Sequence, residues 1–199
     1  MEPWEPYLRQ DDRYWAVGVD EAGRGPLAGP VVAAAVVLRT TAFSIPLKDS
    51  KKLTPRQRRK IFHELHAKAY IGVGMAGPLL IDQINILQAT FTAMERAVDR
   101  LIGVLPSSDK TPYLLIDGNR FSGRTSYAYQ TIVKGDARLA PIAAASIVAK
   151  VTRDQLMDVH DRLFPDYGFA KHKGYPTKAH KDAVKRLGRC PVHRKSFRF

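Results

Sequence analysis

The sequence predicts an α/β fold in which a central mixed sheet is flanked by helices. Two observations predict this class: short apolar runs of strand length come first, and segments with apolar residues at helical spacing are interleaved after them. The sequence contains no internal repeat and no low-complexity linker. With 199 residues, 45% of them hydrophobic, the chain is long enough for one domain with a hydrophobic core and a small appendage.

Five apolar runs are the candidate strands, and turn-forming residues separate them. They cover residues 17–20, 31–38, 71–76, 113–117 and 129–133. Because a turn rich in glycine and proline separates the first two runs, we expect these two to form a hairpin at the start of the sheet.

Four segments have the features of helices. The first begins at a capping box, Thr54-Pro55-Arg56-Gln57, with proline at the first helical position. The second covers residues 82–103 and the third residues 140–162, both with apolar residues at helical spacing. The last helix is predicted to begin after Thr177, which can cap it, and to end near residue 187.

The formal net charge of +13 predicts a polyanionic partner. Ribosomal proteins and proteins of membrane surfaces can carry a similar excess. The excess is uneven here, since residues 171–199 contain ten Lys or Arg and one acid, Asp182. Tyr175, Phe197 and Phe199 add rings that can stack on sugars or bases. We interpret this segment as a surface that grips a nucleic-acid backbone, the alternative being a solvated basic face.

Neither a membrane segment nor a secretion signal is visible in the sequence. No stretch approaches about 18 uninterrupted apolar residues, and residues 1–6 lack the basic-then-apolar pattern of a signal peptide. The single cysteine, Cys190, cannot form an internal disulfide. We therefore expect a cytoplasmic protein without a membrane partner. His172, His180 and His193 lack the spacing of zinc ligands and are interpreted as phosphate-side or surface residues.

Carboxylates follow three of the predicted strands. Asp20 and Glu21 end the first strand, Asp117 ends the fourth, and Asp136 comes soon after the fifth. Each has a structural alternative, since acids are common in turns, Asp-Gly is a hairpin dipeptide, and an aspartate can cap a helix. Clustered at one sheet edge, however, unpaired carboxylates would repel each other unless cations lay between them. Such oxygens suit Mg²⁺ or Mn²⁺, and two such ions can activate water for phosphoryl displacement.

Arg24 lies between two glycines, directly after the first acidic pair. Its guanidinium is a forked donor to phosphate, and Gly23 and Gly25 allow backbone amides to come close to a ligand. The sequence has no G-x-S-x-G elbow, Walker A loop, Rossmann glycine motif or H-E-x-x-H pair. These residues therefore predict metal-assisted phosphate chemistry on a nucleic acid.

Lys51, Ser146 and Lys150 are candidate phosphate contacts. Ser146 and Lys150 lie four residues apart on one polar face of the third helix, so they can reach the same strand. The alternative is a solvated helix face with a Lys150–Asp154 ion pair. Asp154 lies far along this helix from Asp136 and is interpreted as a supporting or structural acid.

A series of blocks, in order along the chain, resembles the signature blocks of bacterial ribonuclease HII. The first block is Val19-Asp20-Glu21-Ala22-Gly23-Arg24-Gly25-Pro26-Leu27-Ala28-Gly29. The others cover residues 49–53, 116–120, 133–136, 144–154 and 167–177. Together they extend over nearly the whole chain from about Trp15.

The resemblance implies an RNase H-like fold with a helical, basic carboxyl-terminal extension that grips the duplex. Residues 14–164 would form the catalytic domain, and residues 165–199 the extension packed on it. Two Mg²⁺ or Mn²⁺ ions are implied as cofactors. The family's metal-binding and catalytic carboxylates carry over onto Asp20, Glu21, Asp117 and Asp136.

The implied activity is endonucleolytic cleavage of the RNA strand of RNA–DNA hybrids, leaving 3′-hydroxyl and 5′-phosphate ends. The family also cuts on the 5′ side of a single ribonucleotide in duplex DNA, which implies roles in ribonucleotide excision repair and RNA primer removal. Gly23-Arg24-Gly25 would contact the ribose 2′-hydroxyl with help from Tyr175. The expected protein is a monomer. Rival interpretations are a junction resolvase, a ribonuclease HIII-like hybrid cutter, and a basic RNA-binding module without catalysis.

Overall fold

The computed structural model describes residues 13–47 and 53–198, which include a five-stranded mixed sheet. The strands are β1 (Tyr14–Ala22), β2 (Val31–Leu38), β3 (Ala69–Ala76), β4 (Thr111–Asp117) and β5 (Tyr129–Ile132). Their order across the sheet is β3-β2-β1-β4-β5. β1 pairs with β2, and β2 with β3, in antiparallel register, whereas β4 is parallel to both β1 and β5. The predicted hairpin and the mixed sheet are confirmed.

The helices cover both faces of the sheet. They are α1 (Pro55–Lys68), α2 (Pro78–Ile102), α3 (Ala140–Leu163), α4 (Phe169–His172) and α5 (Lys178–Leu187). Short 3₁₀ turns lie at Gly135–Ala137 and Pro165–Tyr167. Buried residues of α2 form one core with one face of the sheet, and buried residues of α1 and α3 form a second core with the other face. β2 is apolar throughout because it is covered on both sides.

The structure confirms the two helix starts that capping residues predict. Thr54 Oγ1 accepts a hydrogen bond from the Gln57 N–H at 3.2 Å, and Gln57 Oε1 accepts one from the Thr54 N–H at 2.9 Å. This reciprocal pair satisfies N–H groups that the first turn of α1 leaves without helical partners. Thr177 Oγ1 likewise accepts from the His180 N–H at 3.2 Å at the start of α5.

α2 begins earlier than residue 82, where the sequence predicts its start. The helix begins at Pro78, because proline has the φ of a first helical residue and needs no N–H partner there. At Asn85 the backbone leaves the helical region, with φ 66° and ψ 167°. Asn85 Oδ1 accepts hydrogen bonds from the N–H groups of Leu87 and Gln88, at 2.9 and 3.1 Å. α2 therefore consists of a short first segment and a longer one that Asn85 caps anew.

β3 is an edge strand, and α2 covers part of its open side. Arg96 Nη1 donates to the carbonyl oxygen of Met75 at 2.7 Å, and Arg100 Nη1 donates to that of Val73. Two main-chain acceptors of the edge thus have guanidinium partners.

α3 lies directly against β1, close to where the first acids stand. A Cβ atom added at Gly18 would be 2.1 Å from the carbonyl carbon of Pro141, so only glycine allows this approach. Within the described ranges 13–47 and 53–198, no helix has both the length and the apolar character needed to cross a membrane.

Candidate active site

Strand pairing brings the first and third predicted acids to one edge of the sheet. β1 and β4 run parallel with Val19 opposite Ile116, so the next residues are neighbours: Asp117 at the end of β4 and Asp20 two residues before the end of β1. Both Val19 and Ile116 belong to the core under α2. Since side chains alternate along a strand, Asp20 and Asp117 point to the opposite face, which α3 covers.

Asp136 lies in the short turn that follows β5. The Gly135 N–H donates to Asp117 Oδ1 at 2.7 Å, which ties the turn to the end of β4. The turn starts at Lys134, whose φ of 55° is left-handed, and Asp136 is buried at 6% exposure. The turn after β5 therefore places Gly135, the residue before the fourth acid, in contact with Asp117.

Burial and mutual repulsion disfavour the charged forms of the carboxylates at this site. Burial raises the pKa of Asp20 well above its usual value, and the charges of Glu21 and Asp117 raise it further. Burial also raises the pKa of Glu21, although Arg24, whose Nη1 lies 3.4 Å from Glu21 Oε1, acts in the opposite direction. The Ser146 hydroxyl donates a hydrogen bond to Asp20. A bound cation would relieve the repulsion between these carboxylates.

The donor set fits a hard divalent cation. Carboxylate oxygens are the side-chain ligands that Mg²⁺ and Mn²⁺ prefer. Among the described residues, no three His, Cys, Asp or Glu side chains form a ready-made metal cage. Mg²⁺ is usually held by one or two carboxylates together with waters and substrate phosphates. Carboxylates in the arrangement of Asp20, Glu21 and Asp117 suit that kind of shared coordination.

The Gly-Arg-Gly loop forms the wall of the site next to the acids. Gly23 has a φ of +97°, and a Cβ atom there would lie 2.0 Å from Arg153 Nε, so glycine is required on both counts. The Arg24 side chain is half exposed. A Cβ at Gly25 would be 3.9 Å from Cε1 of Tyr175, which shows how closely the loop approaches the tyrosine ring.

These elements enclose a cavity of about 280 Å³. It is lined by Asp20, Glu21, Ala22, Gly23, Arg24, Gly25, Arg58, Asp117, Ser146, Lys150 and Tyr175. Nine predicted site residues thus share one cavity; Asp136 is not among the lining residues, and Lys51 lies outside the described residues. Arg58 is a lining residue that the sequence reasoning missed. Its only signal was the run of basic residues after the first capping box.

The position of Lys150 fits both roles considered from the sequence, a phosphate contact and an ion pair on the helix face. Its Nζ donates to Asp154 Oδ1 at 2.7 Å, as expected for a helix-face ion pair. The same Nζ lies 5.9 Å from the centroid of the Tyr175 ring and reaches the cavity. The ammonium group therefore stands at the rim of the site with a carboxylate partner behind it.

The expectation of surface histidines is wrong for two of the three. His180 and His193 are buried, at 0% and 3% exposure, and their Nε2 atoms lie 3.0 Å apart. His172 stacks on His180 with ring centroids 4.3 Å apart, and Phe169 packs against all three rings. His180 Nδ1 also lies 2.9 Å from the carbonyl oxygen of Tyr175. This histidine cluster (His172, His180 and His193) is a small core beneath the Tyr175 segment.

The chain matches known proteins over most of its length. The family model for Ribonuclease HII matches residues 17–199. A Ribonuclease HII of Maricaulis maris is 52% identical over 180 residues, covering 90% of this chain and 80% of the relative. A Ribonuclease HII of Francisella philomiragia is 50% identical over 184 residues, covering 92% and 95%.

Solved structures agree with this family and with the RNase H-like fold. The ribonuclease H2 of Pyrococcus horikoshii is 28% identical, with a TM-score of 0.70, and the match covers 92% of this chain and 93% of that one. The PCNA:RNase HII complex of Archaeoglobus fulgidus matches in fold, with a TM-score of 0.74 at 23% identity, covering 93% and 96%. By sequence and by fold, the chain belongs to the ribonuclease HII family and is a ribonuclease H, a hydrolase that acts on RNA–DNA hybrids.

Proposed function

We propose that this protein is an endonuclease that cuts the RNA strand of RNA–DNA hybrids and also cuts on the 5′ side of a single ribonucleotide in duplex DNA. Its products end in 3′-hydroxyl and 5′-phosphate. One observation carries the proposal: the carboxylates of Asp20, Glu21 and Asp117, the Gly-Arg-Gly loop and Tyr175 all line the same cavity. Carboxylates alone are found in many enzymes that act on phosphate groups. A main-chain loop that comes close to the ligand and faces an aromatic ring is suited to recognising a sugar.

Asp20, Glu21, Asp117 and Asp136 would hold two divalent cations, Mg²⁺ or Mn²⁺. When bound, such ions supply positive charge that offsets developing charge on phosphate, and they lower the pKa of a bound water. A ribonuclease HIII that shares the fold has been solved in complex with Mn²⁺. The buried, mutually repelling carboxylates of this chain supply the charge that such ions need.

The other cavity residues bind and orient the substrate. The half-exposed guanidinium of Arg24 donates to a phosphate, and the Lys150 ammonium adds positive charge at the rim. The main chain of Gly23 and Gly25 comes close to the ribose 2′-hydroxyl, which both donates and accepts hydrogen bonds. The Tyr175 ring, 42% exposed, packs on the adjoining sugar. Ser146 keeps Asp20 oriented through its hydrogen bond.

We assign residues 14–164 to catalysis and residues 165–199 to substrate binding. Ten Lys or Arg among residues 171–199 support a backbone-gripping role for the extension. Such an enzyme would act as a monomer in the cytoplasm, in ribonucleotide excision repair and RNA primer removal.

The direct test uses a labelled DNA duplex with one ribonucleotide, in Mg²⁺, in Mn²⁺ or in chelator, beside an all-DNA duplex. We expect a metal-dependent cut immediately 5′ of the ribonucleotide and none in the all-DNA control. Cleavage of long hybrids alone would favour a ribonuclease HIII-like enzyme. Binding without any cut would favour a module without catalysis.

Tyr175→Ala tests the ring that the proposal places on the sugar. Loss of a stacked ring costs about 1–3 kcal/mol, so we expect kcat/KM at a single ribonucleotide to fall by about 5- to 150-fold. Tyr175→Phe keeps the ring and serves as the matched variant, with most of the rate retained. Steady-state kinetics on the same duplex measure both, and an unchanged rate for Tyr175→Ala would remove the role of the ring.

A further inference from the structure

The loop between β1 and β2 lies between two distant segments of the chain. On one side the Leu27 N–H donates to the carbonyl oxygen of Gly174 at 2.8 Å. On the other side the Gly29 N–H donates to the oxygen of Val192, and the Arg194 N–H donates to the oxygen of Leu27, both at 2.8 Å. The loop that carries the Gly-Arg-Gly motif is therefore packed between the Tyr175 segment and the carboxyl-terminal tail.

Arg194 binds the main chain of this loop near both of its ends. Its Nη1 and Nη2 donate to the carbonyl oxygens of Arg24, at 2.8 Å, and Gly23. Its Nε donates to the oxygen of Gly29 at 3.0 Å, and the residue is 1% exposed. A single rigid, planar group thus joins the start of the loop to its end.

Arg153, on α3, contacts the same loop from another direction. Its Nε and Nη2 donate to the carbonyl oxygens of Pro30 and Ala28, at 3.0 and 3.1 Å. Its Nη1 donates to the oxygen of Lys173 at 3.0 Å, and its Cζ lies 5.8 Å from the centroid of the Tyr175 ring. Arg153 therefore connects the loop to the segment that presents the tyrosine.

This pair of buried guanidinium groups is electrostatically costly. Burial and, to a smaller extent, the nearby charge of Arg153 together lower the pKa of Arg194 to about 9, while the charge of Asp82 acts in the opposite direction. An apolar side chain would avoid this cost but would leave the bound carbonyl groups without those partners. A costly arrangement that fixes a main-chain path is typical of functional sites.

The peptide geometry of the loop determines where its N–H groups point. In a planar trans peptide the N–H is antiparallel to the C=O of the same unit. Because Arg194 holds the carbonyls of Gly23 and Arg24, the N–H groups of Arg24 and Gly25 point away from Arg194. Gly23, Arg24 and Gly25 line the cavity, whereas Arg194 is not among the lining residues.

We propose that Arg194 is a positioning residue for ribonucleotide recognition. By holding two successive carbonyls, it turns the N–H groups of Arg24 and Gly25 toward the ribose, and Arg153 keeps that loop in register with Tyr175. The inference rests on the proposed function, in which this loop reads the 2′-hydroxyl. It predicts that Arg194 controls ribose discrimination without touching the substrate.

Arg194→Lys is the test, because lysine keeps the positive charge and loses the planar fork. Arg162→Lys, the same change at an exposed position near the end of α3, is the matched control. The main readout is the ratio of two dissociation constants measured in chelator, for an all-DNA duplex and for the same duplex with one ribonucleotide. This ratio is independent of the fraction of folded protein. Melting temperature, Mn²⁺ affinity and kcat are measured in parallel.

We expect Arg194→Lys to lower the ribonucleotide preference at least fivefold and kcat at least tenfold. Affinity for the all-DNA duplex and for Mn²⁺ should stay within about twofold of the wild-type values, and Arg162→Lys should match wild type throughout. A preference within twofold of wild type in Arg194→Lys would overturn the inference.

Two further outcomes are distinguishable. A wild-type protein that neither prefers nor cuts the ribonucleotide contradicts the proposed function itself, whereas an unchanged ratio beside an active wild type contradicts only this inference. If Arg194→Lys does not fold, Arg194→Gln, with a planar amide that donates two N–H bonds, is measured in the same way. Failure of both to fold would make Arg194 a stability residue and would also overturn the inference.

Discussion

Burial and neighbouring negative charges both act on Asp20 and raise its pKa. Asp20 is 5% exposed, and its negative charge lies beside those of Glu21 and Asp117, so that charge destabilises the protein when no metal is bound. Asp20→Asn keeps the shape of the side chain and removes the charge. We expect a higher melting temperature in chelator and a cleavage rate in Mg²⁺ lower by about a thousandfold or more, since several kcal/mol of transition-state stabilisation are lost.

Calorimetry in chelator and single-turnover cleavage in Mg²⁺ measure these two effects separately. Asp99→Asn, at an exposed position on α2, is the matched control and should change neither. Affinity for the duplex should stay nearly constant in Asp20→Asn, because the basic surface supplies most of it. Retained turnover in Asp20→Asn would contradict the metal-binding role.

The histidine cluster predicts a loss of stability in mild acid. Burial and, to a smaller extent, the charges of His180, Arg189 and His172 together lower the pKa of His193 to about 4. The unfolded chain binds this proton near pH 6.5, so protonation favours the unfolded state as the pH falls from about 6.5 to about 4. We expect the free energy of unfolding to fall across this window, by up to about 1.4 kcal/mol per pH unit for each such histidine.

Urea unfolding at pH 7 and pH 5.5 measures this effect. His193→Gln removes one titrating group and keeps an amide that can hydrogen-bond, so its stability should depend less on pH than that of the wild type. Taking the difference between the two proteins cancels the titration of the acids that both contain. Equal slopes for the two would show that His193 is not responsible.

At the scale of single residues, the local sequence predicts the acidic residues of the site but not the buried basic residues. Asp20 and Asp117 end apolar runs, and that pattern is visible without any knowledge of the fold. Arg194 looks like one more cation in a basic tail, and its burial depends on hydrogen bonds to residues about 170 positions away. The burial of His180 and His193 is hidden from local sequence for the same reason, since the rings that bury them come from separate segments.

Among the elements, α2 offers the sharpest test. Asn85 has a positive φ with an extended ψ, a backbone region that is essentially restricted to glycine, and its side chain caps Leu87 and Gln88. Asn85→Ala loses the cap and keeps the strain, so we expect a loss of about 1–2 kcal/mol in the free energy of unfolding. Asn85→Gly also loses the cap but relieves the strain, so its stability should stay closer to that of the wild type.

Chemical denaturation of both variants measures this difference. Gln83→Ala, at an exposed position two residues earlier, controls for the loss of a polar side chain and should be nearly neutral. An alanine variant as stable as the glycine variant would mean that the kink carries no strain.

Elements with complete local signals were predicted best. The capping box of α1 and the threonine cap of α5 each involve residues within one turn of each other, and both helix starts are confirmed. The kink in α2 has no comparable signal, because a lone asparagine within an apolar helical pattern is read as part of the helix. Strand register was equally hidden, since the pairing of Val19 with Ile116 joins segments far apart in sequence.

For the whole molecule, the net charge of +13 predicts strongly salt-dependent binding. If the surface neutralises about six phosphates, duplex affinity should fall by about 10³ between 50 and 200 mM salt, as counterions are released on binding. Fluorescence anisotropy in chelator, which prevents cleavage, measures the slope of log Kd against log salt. A flat dependence would mean that the basic residues do not face the duplex.

The guanidinium groups over β3 have a consequence for behaviour at high concentration. An open edge strand can pair with a strand of another molecule, which is a common first step in aggregation. Arg96 and Arg100 occupy the main-chain acceptors of Met75 and Val73 and also bring positive charge to that edge. We therefore expect a second copy, itself strongly basic, to be repelled where it would otherwise extend the sheet. On this expectation, the excess of positive charge that favours binding of a polyanion also disfavours association between copies of this ribonuclease.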